Sequence, residues 1–215
     1  MRLYGSAMAA VVAAAFLVSA SPVAAASPSP CVGEMVSATG LSLYNGRVAF
    51  DVERTADGYR MVDCVRGIVA FDAGGTIDLE RAVIVTSDDA VFDSEKVRAA
   101  VSAYWAAQQL YDFYYGSFGW KGWSGKGAAL ELYVHYGKNY FNASFDRGSV
   151  VFGDGGAYNS TPIISVDYVG HEVTHGVTLS SARLFYSGES GALNESFSDI
   201  IGKAFQHALL PERRD

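Results

Sequence analysis

The stretch that most constrains this 215-residue chain is His171-Glu172-Val173-Thr174-His175, an H-E-x-x-H pattern. Residues four apart lie one above the other on a helix face, so both imidazoles can reach a single metal ion. Glu172 then sits close enough to take a proton from a water on that ion. A catalytic zinc keeps three protein ligands and one open position, so a third ligand has to come from elsewhere. The segment Gly191-Ala-Leu-Asn194-Glu195-Ser-Phe-Ser-Asp199 can supply it. Glu195 and Asp199 are again four apart and face one way on a second helix. Glu195 can complete the zinc set, and Asp199 can accept the far N–H of a ligand histidine, which fixes its tautomer and raises its basicity. Taken alone, H-E-x-x-H also occurs on surface helices where His and Glu are merely solvated. The second motif supplies a different part of the same coordination shell, and that weighs for a metal site.

The surrounding pattern divides the chain. From residue 36 to about 92 it predicts short strands and turns. The stretches 47–53, 59–62, 68–71 and 82–86 are strand-like, and Asn45-Gly46 and Ala73-Gly74-Gly75 mark turns. Ser94-Glu95 can open a helix over 95–115, with Val97, Val101, Trp105 and Leu110 at helical spacing. A glycine-rich connection covers 116–127, strands return at 129–136 and 149–152, and Asp154-Gly155-Gly156 reads as a turn. Helices are predicted over about 166–180 and about 191–209, the second closed by Pro211. The trend from short strands to long helices makes this an α+β chain.

Composition narrows the function classes. Half of the residues are hydrophobic and the formal net charge is −7, with no basic stripe, which excludes disorder and argues against a nucleic-acid partner. Residues 1–26 read as an export signal: Arg2, then an apolar run from Ala7 to Val18, then Ala24-Ala25-Ala26. The run is short for a membrane span, and no other stretch could cross a bilayer, so a secreted, extracellular location without stable membrane insertion is expected. Cys31 and Cys64 are the only cysteines, and in an exported protein such a pair is expected to be a disulfide.

The motifs resemble the thermolysin family of zinc metalloendopeptidases. That family carries H-E-x-T-H-x-V-T, a tyrosine, then S-G-A-x-N-E-x-x-S-D. Here the residues are His171 to Thr178, Tyr186, and Ser190 to Asp199. Upstream, Val134-His135-Tyr136-Gly137, Tyr140, Asn142-Ala143 and Phe152 to Gly155 look like the family's edge strand and following turn. The resemblance implies an N-terminal lobe of mainly antiparallel strands with a long helix and two active-site helices, spanning 36–209, after a flexible mature N-terminus at 27–35 and before a tail at 210–215. It implies zinc on His171, His175 and Glu195, Glu172 as catalytic base, and Tyr186 as donor to the oxyanion. Asp199 and Asn194 would orient the histidines, and Asn142 and Ala143 would bind the main chain of a protein or peptide substrate.

Several positions depart from the family pattern. Ser144-Phe145 follows Asn142-Ala143 where the family has two aromatics. Asp167 falls on a calcium-ligand position, but Gln206 stands where the family has a glutamate, and an amide is a weaker calcium ligand than a carboxylate. On this resemblance the family's helical domain, with its oxyanion histidine and substrate arginine, is expected to be missing from the residues up to Asp215. Neither His207 nor His135 replaces that histidine by motif, and slow turnover by these residues alone is expected. The same ligands would also serve a non-catalytic zinc-binding relative. Asn142, Asn159 and Asn194 match glycosylation acceptors by coincidence, and Trp105, Tyr114, Trp120 and Trp123 are read as packing rather than as a carbohydrate platform.

Overall fold

A computed structural model describes residues 31–156 and 161–212. The export signal at 1–26, the acceptor Asn159 and the end of the tail lie outside these residues. The first sheet is built on β1 (Glu34–Leu41) and β2 (Arg47–Thr55), paired antiparallel in register from Glu34 opposite Arg54 to Leu41 opposite Arg47. β3 (Gly58–Arg60) follows β2 through a tight turn. β2 alternates between exposed Arg47 and Ala49 and buried Val48, Phe50 and Val52, the pattern of a strand with one face on a core.

The next strands are β4 (Val62–Asp63), β5 (Ile68–Asp72), β6 (Val83–Ile84), β7 (Thr86–Ser87) and β8 (Val91–Phe92). The first sheet has the order β7-β3-β2-β1-β8. After helix α1 (Arg98–Phe118) come β9 (Leu130–Val134), β10 (Ala143–Asp146) and β11 (Ser149–Phe152). The second sheet has the order β10-β11-β9-β5-β4, with β6 also paired to β5. Its centre is parallel, because β9 runs parallel to both β5 and β11, while its outer pairs are antiparallel. β10 is the edge strand.

The core lies where α1 crosses both sheets. Tyr104 is fully buried against Phe50 and its hydroxyl donates to the Asp51 carbonyl. Trp105, at 9% exposure, and Tyr114, at 4%, are packed as expected, and Trp123 stacks edge-on to Phe145. Helix α1 begins three residues later than the pattern predicted. A 3-10 turn over Glu95–Val97 takes the predicted start, and the Ser94 side chain makes no capping bond. Gly119, in the left-handed region at φ 65, ends α1.

The expectation of a flexible mature N-terminus at 27–35 is corrected over its described part. Residues 34 and 35 are in β1. The Val32 and Gly33 N–H groups donate to the fully buried Glu53 carboxylate at 2.6 and 2.7 Å, which also accepts from Arg60. Burial alone would raise the Glu53 pKa, but the bonds from Arg60, Val32 and Gly33 outweigh it and hold the carboxyl below its ordinary value. Cys31 and Cys64 form a disulfide, with Cα atoms 5.9 Å apart. Beside it, Asp63 accepts from the Val65 and Arg66 N–H groups, and Arg66 bridges Asp51, Asp63 and Asp112.

The last two elements are α2 (Val166–Ser180) and α3 (Gly188–Leu209). Helix α2 has the bounds that its periodicity predicted, and α3 starts three residues earlier than predicted. The two cross where glycine meets glycine: a Cβ on Gly170 would stand 3.0 Å from Gly202 Cα, and one on Gly202 would stand 2.6 Å from the Asp167 carbonyl oxygen. Only glycine allows this approach. On the other side of α2, a Cβ on Gly176 would meet the Phe145 ring at 2.5 Å, so this glycine lets α2 lie close against β10.

Candidate active site

Close packing at Gly170 and Gly202 turns one face of α2 toward one face of α3. His171 and His175 come from α2, and Asn194, Glu195, Ser198 and Asp199 come from α3. The two Nε2 atoms are 3.1 Å apart. Glu195 Oε2 lies 3.2 Å from His171 Nε2, and Glu195 Oε1 lies 3.8 Å from His175 Nε2. The three side chains can offer one atom each within 4.8 Å of one another.

The far side of each ring decides what these atoms are. His171 Nδ1 lies 2.9 Å from Asp199 Oδ1, and His175 Nδ1 lies 2.8 Å from Asn194 Oδ1. Both partners are acceptors, so each Nδ1 carries its proton and each Nε2 presents a lone pair. Two lone pairs and a carboxylate therefore face one another with no donor among them. That arrangement is repulsive by itself and is relieved by a cation. Two imidazoles and one carboxylate suit zinc, and three protein ligands leave a position for water or substrate.

Glu172 lies beside this set and is 7% exposed. Burial pushes its carboxyl up to about 7. His171 and the Phe145 backbone N–H pull it down, and the Glu195 charge pushes it up. A carboxyl near neutrality can both accept and return a proton.

A cleft of about 660 Å³ opens over these groups, and Tyr186, Asn142 and Ala143 are in its wall. Tyr186 is 65% exposed, with its ring 5.9 Å from the His175 ring. β10 forms one rim. The Asn142 carbonyl accepts from Gly153 N–H on the sheet side. Backbone groups alternate in direction along a strand, so the Ala143 N–H and C=O point away from the sheet, as does the Phe145 N–H that faces Glu172. Among the described residues no further strand pairs with β10, and this edge of the sheet borders the cleft. Arg147 and Arg183 stand in the same wall, both in the left-handed backbone region at φ 46 and 52.

Residues predicted from the sequence converge here with one exception. Asp167 points away from the cleft and lies 2.6 Å from Lys203 Nζ, with Ser165 Oγ donating to it at 2.5 Å. A cation of the chain itself therefore meets the carboxylate assigned to calcium. His135 is remote from the site as well: its Nδ1 is 2.7 Å from Asp154 and its Nε2 is 3.1 Å from the Lys96 carbonyl. His207 is exposed on α3. Two participants escaped the sequence reading. Ser198, fully buried, has its Oγ 3.2 Å from His175 Nδ1, and helical spacing from Asn194 could have pointed to it. The Phe145 backbone N–H has no side-chain signal at all.

The family described as thermolysin metallopeptidase, catalytic domain, matches residues 37–179, and its alpha-helical domain matches residues 182–214, so the expectation that this domain is absent is corrected: α3 belongs to its matched part. Bacillolysin of Bacillus cereus is 35% identical over 176 residues, which cover 80% of this chain and 31% of that protein. The transglutaminase-activating metalloprotease of Streptomyces mobaraensis is 36% identical over 179 residues, covering 78% of this chain and 22% of that protein. Among solved structures, the precursor of protealysin, a metalloproteinase from Serratia proteamaculans, superposes with a TM-score of 0.59 at 35% identity, covering 67% of this chain and 44% of that one. The chain thus spans less than half the length of each of these relatives. The matched length, and motifs that fall on the facing sides of α2 and α3, make the chain a member of the thermolysin metallopeptidase family.

Proposed function

We propose that the chain is the zinc-binding part of a secreted endopeptidase that hydrolyses extended protein or peptide substrates. The observation that carries this reading is the trio of His171 Nε2, His175 Nε2 and Glu195, with no proton donor among them, beside a buried carboxyl near neutrality. Membership of a peptidase family supports the reaction class. Export rests on the sequence of residues 1–26; among the described residues no helix is long and apolar enough to cross a membrane.

Zinc bound by His171, His175 and Glu195 would supply Lewis acidity, polarising the scissile carbonyl and acidifying the attacking water. The remaining steps belong to the chain. Substrate adds as a strand along β10, using the outward N–H and C=O of Ala143 and the Asn142 side chain. Glu172 takes the proton from the attacking water and returns it to the leaving amine. Tyr186 donates to the developing oxyanion. Asp199 and Asn194 keep the imidazole protons on Nδ1, so that both Nε2 lone pairs stay available.

The test uses a quenched-fluorescence peptide series. The chain should cleave internal bonds, lose activity to a chelator and regain it with zinc. Glu172→Gln should lower the rate by at least about 10²-fold with zinc retained. If wild type and Glu172→Gln hold zinc equally and cleave equally little, the chain is a non-catalytic zinc binder, and the peptidase reading fails.

A further inference from the structure

The junction of α2 and α3 carries a second ionic contact that the zinc chemistry does not use. Gly170 and Gly202 bring the helices together, and Lys203, next in sequence to Gly202, reaches back across the crossing. Its Nζ donates to Asp167 Oδ2 at 2.6 Å and to Gln206 Oε1 at 3.3 Å. Asp167 and Gln206 are the two positions at which family resemblance would put calcium ligands, and one ammonium now engages both. The residues present do not fit calcium. That ion takes six to eight oxygens, usually with several carboxylates. Among the described residues one carboxylate and one amide oxygen face it, the other Asp167 oxygen accepts from Ser165 Oγ, and the nearby Asp199 is engaged by His171. A divalent ion would also have to displace or sit against the Lys203 ammonium.

We infer that Lys203 takes the place of a calcium ion at this junction: its ammonium ties Asp167 on α2 to Gln206 on α3, and the pairing of the two helices does not depend on calcium. The Asp167 side chain is 15% exposed and that of Lys203 is 69% exposed, so the contact is anchored on its acidic side and reached from solvent on its basic side. A compact ammonium with three donors can serve two acceptors at once. The position also suits the helix charges, because Asp167 lies in the first turn of α2, where a negative group is favoured.

Thermal melting of the zinc-loaded chain with calcium added at constant zinc tests this without an activity readout. Wild type should melt within about 1 °C of the same temperature with and without millimolar calcium. Lys203→Glu removes the ammonium and adds a carboxylate beside Asp167, so it should melt lower and regain about 5 °C on calcium addition. A calcium-dependent rise in wild type that disappears in Asp167→Asn would overturn the inference. So would a folded Lys203→Glu variant indifferent to calcium, since the junction would then not be shaped around a cation. The wild-type titration decides the matter even if Lys203→Glu does not fold.

Discussion

Helices α1 and α3 are nearly the same length, 21 and 22 residues, yet they are held in opposite ways. Helix α1 buries Tyr104, Trp105, Leu110 and Tyr114 with an alanine-rich face between the sheets. Helix α3 buries Gly191, Asn194, Ser198, Gly202 and Phe205, of which only Phe205 is a large apolar side chain. Its Leu193, Phe197 and Ile200 are 51%, 49% and 58% exposed. The body is thus a hydrophobic structure in the ordinary sense, whereas α3 is docked by glycine contacts, buried Phe205, the half-buried Ile201 and Leu209, and the polar groups of the site. The lesson is that the site residues are also the fasteners of α3. Zinc binding should therefore act on α3 as a structural link, and not only as chemistry.

The largest effect expected from this contrast is at Phe205, which packs on Phe113 with ring centroids 5.6 Å apart. Phe205→Ala should cost about 3–5 kcal/mol in denaturant unfolding. Phe197→Ala, on the same helix but half-exposed, should stay within about 0.5 kcal/mol of wild type. Equal costs would mean that α3 is buried as α1 is, and the contrast would collapse.

The next effect belongs to the body. The disulfide closes 33 residues of sequence separation beside the Asp63–Arg66 network. Cys31→Ser with Cys64→Ser should cost about 2–4 kcal/mol. Hydrogen exchange should then speed up in β1 while zinc affinity stays unchanged. Intact mass of the exported protein should be lower by two hydrogens than that of the reduced chain. Thiols that titrate freely after denaturation would contradict the bridge.

The smallest effect concerns His135, which joins β9 to the turn before α1 and to the Asp154 loop. Both ring partners are acceptors, so both bonds need the imidazolium. The Asp154 hydrogen bond raises the His135 pKa, with burial opposing and the Asp154 charge, the Lys96 carbonyl and Asp72 helping. A raised folded pKa stabilises fully below the unfolded value near 6.5, and the contribution is lost as pH rises through the folded pKa. Stability should fall by about 0.5–1 kcal/mol across that window, and His135→Gln should flatten the profile. An unchanged profile in the variant would remove His135 as its source.

Much of this architecture was legible because it is local. Helix signals placed α2 at about 166–180, where it is found, and four-residue spacing put His171 with His175 and Glu195 with Asp199 on shared faces. The sheet centre was not legible. β9 pairs parallel with β5, some sixty residues earlier, and nothing in either strand encodes that partner. β10 is only four residues long, too short for alternation to mark it as an edge, and it entered the reading through family resemblance alone. The anchoring of residues 32–33 by Glu53 and the capture of Asp167 by Lys203 depend on tertiary approach between elements, which spacing along the chain does not carry.

Zinc content tests the central claim most directly. Purified wild-type chain and Glu172→Gln should each hold one zinc ion per molecule, while His171→Ala and His175→Ala should hold close to none. The His171→Ala chain should also exchange amide hydrogens faster in α3 than in α1. Zinc bound equally by wild type and His171→Ala, or by neither, would contradict the assignment of His171, His175 and Glu195 as one metal site.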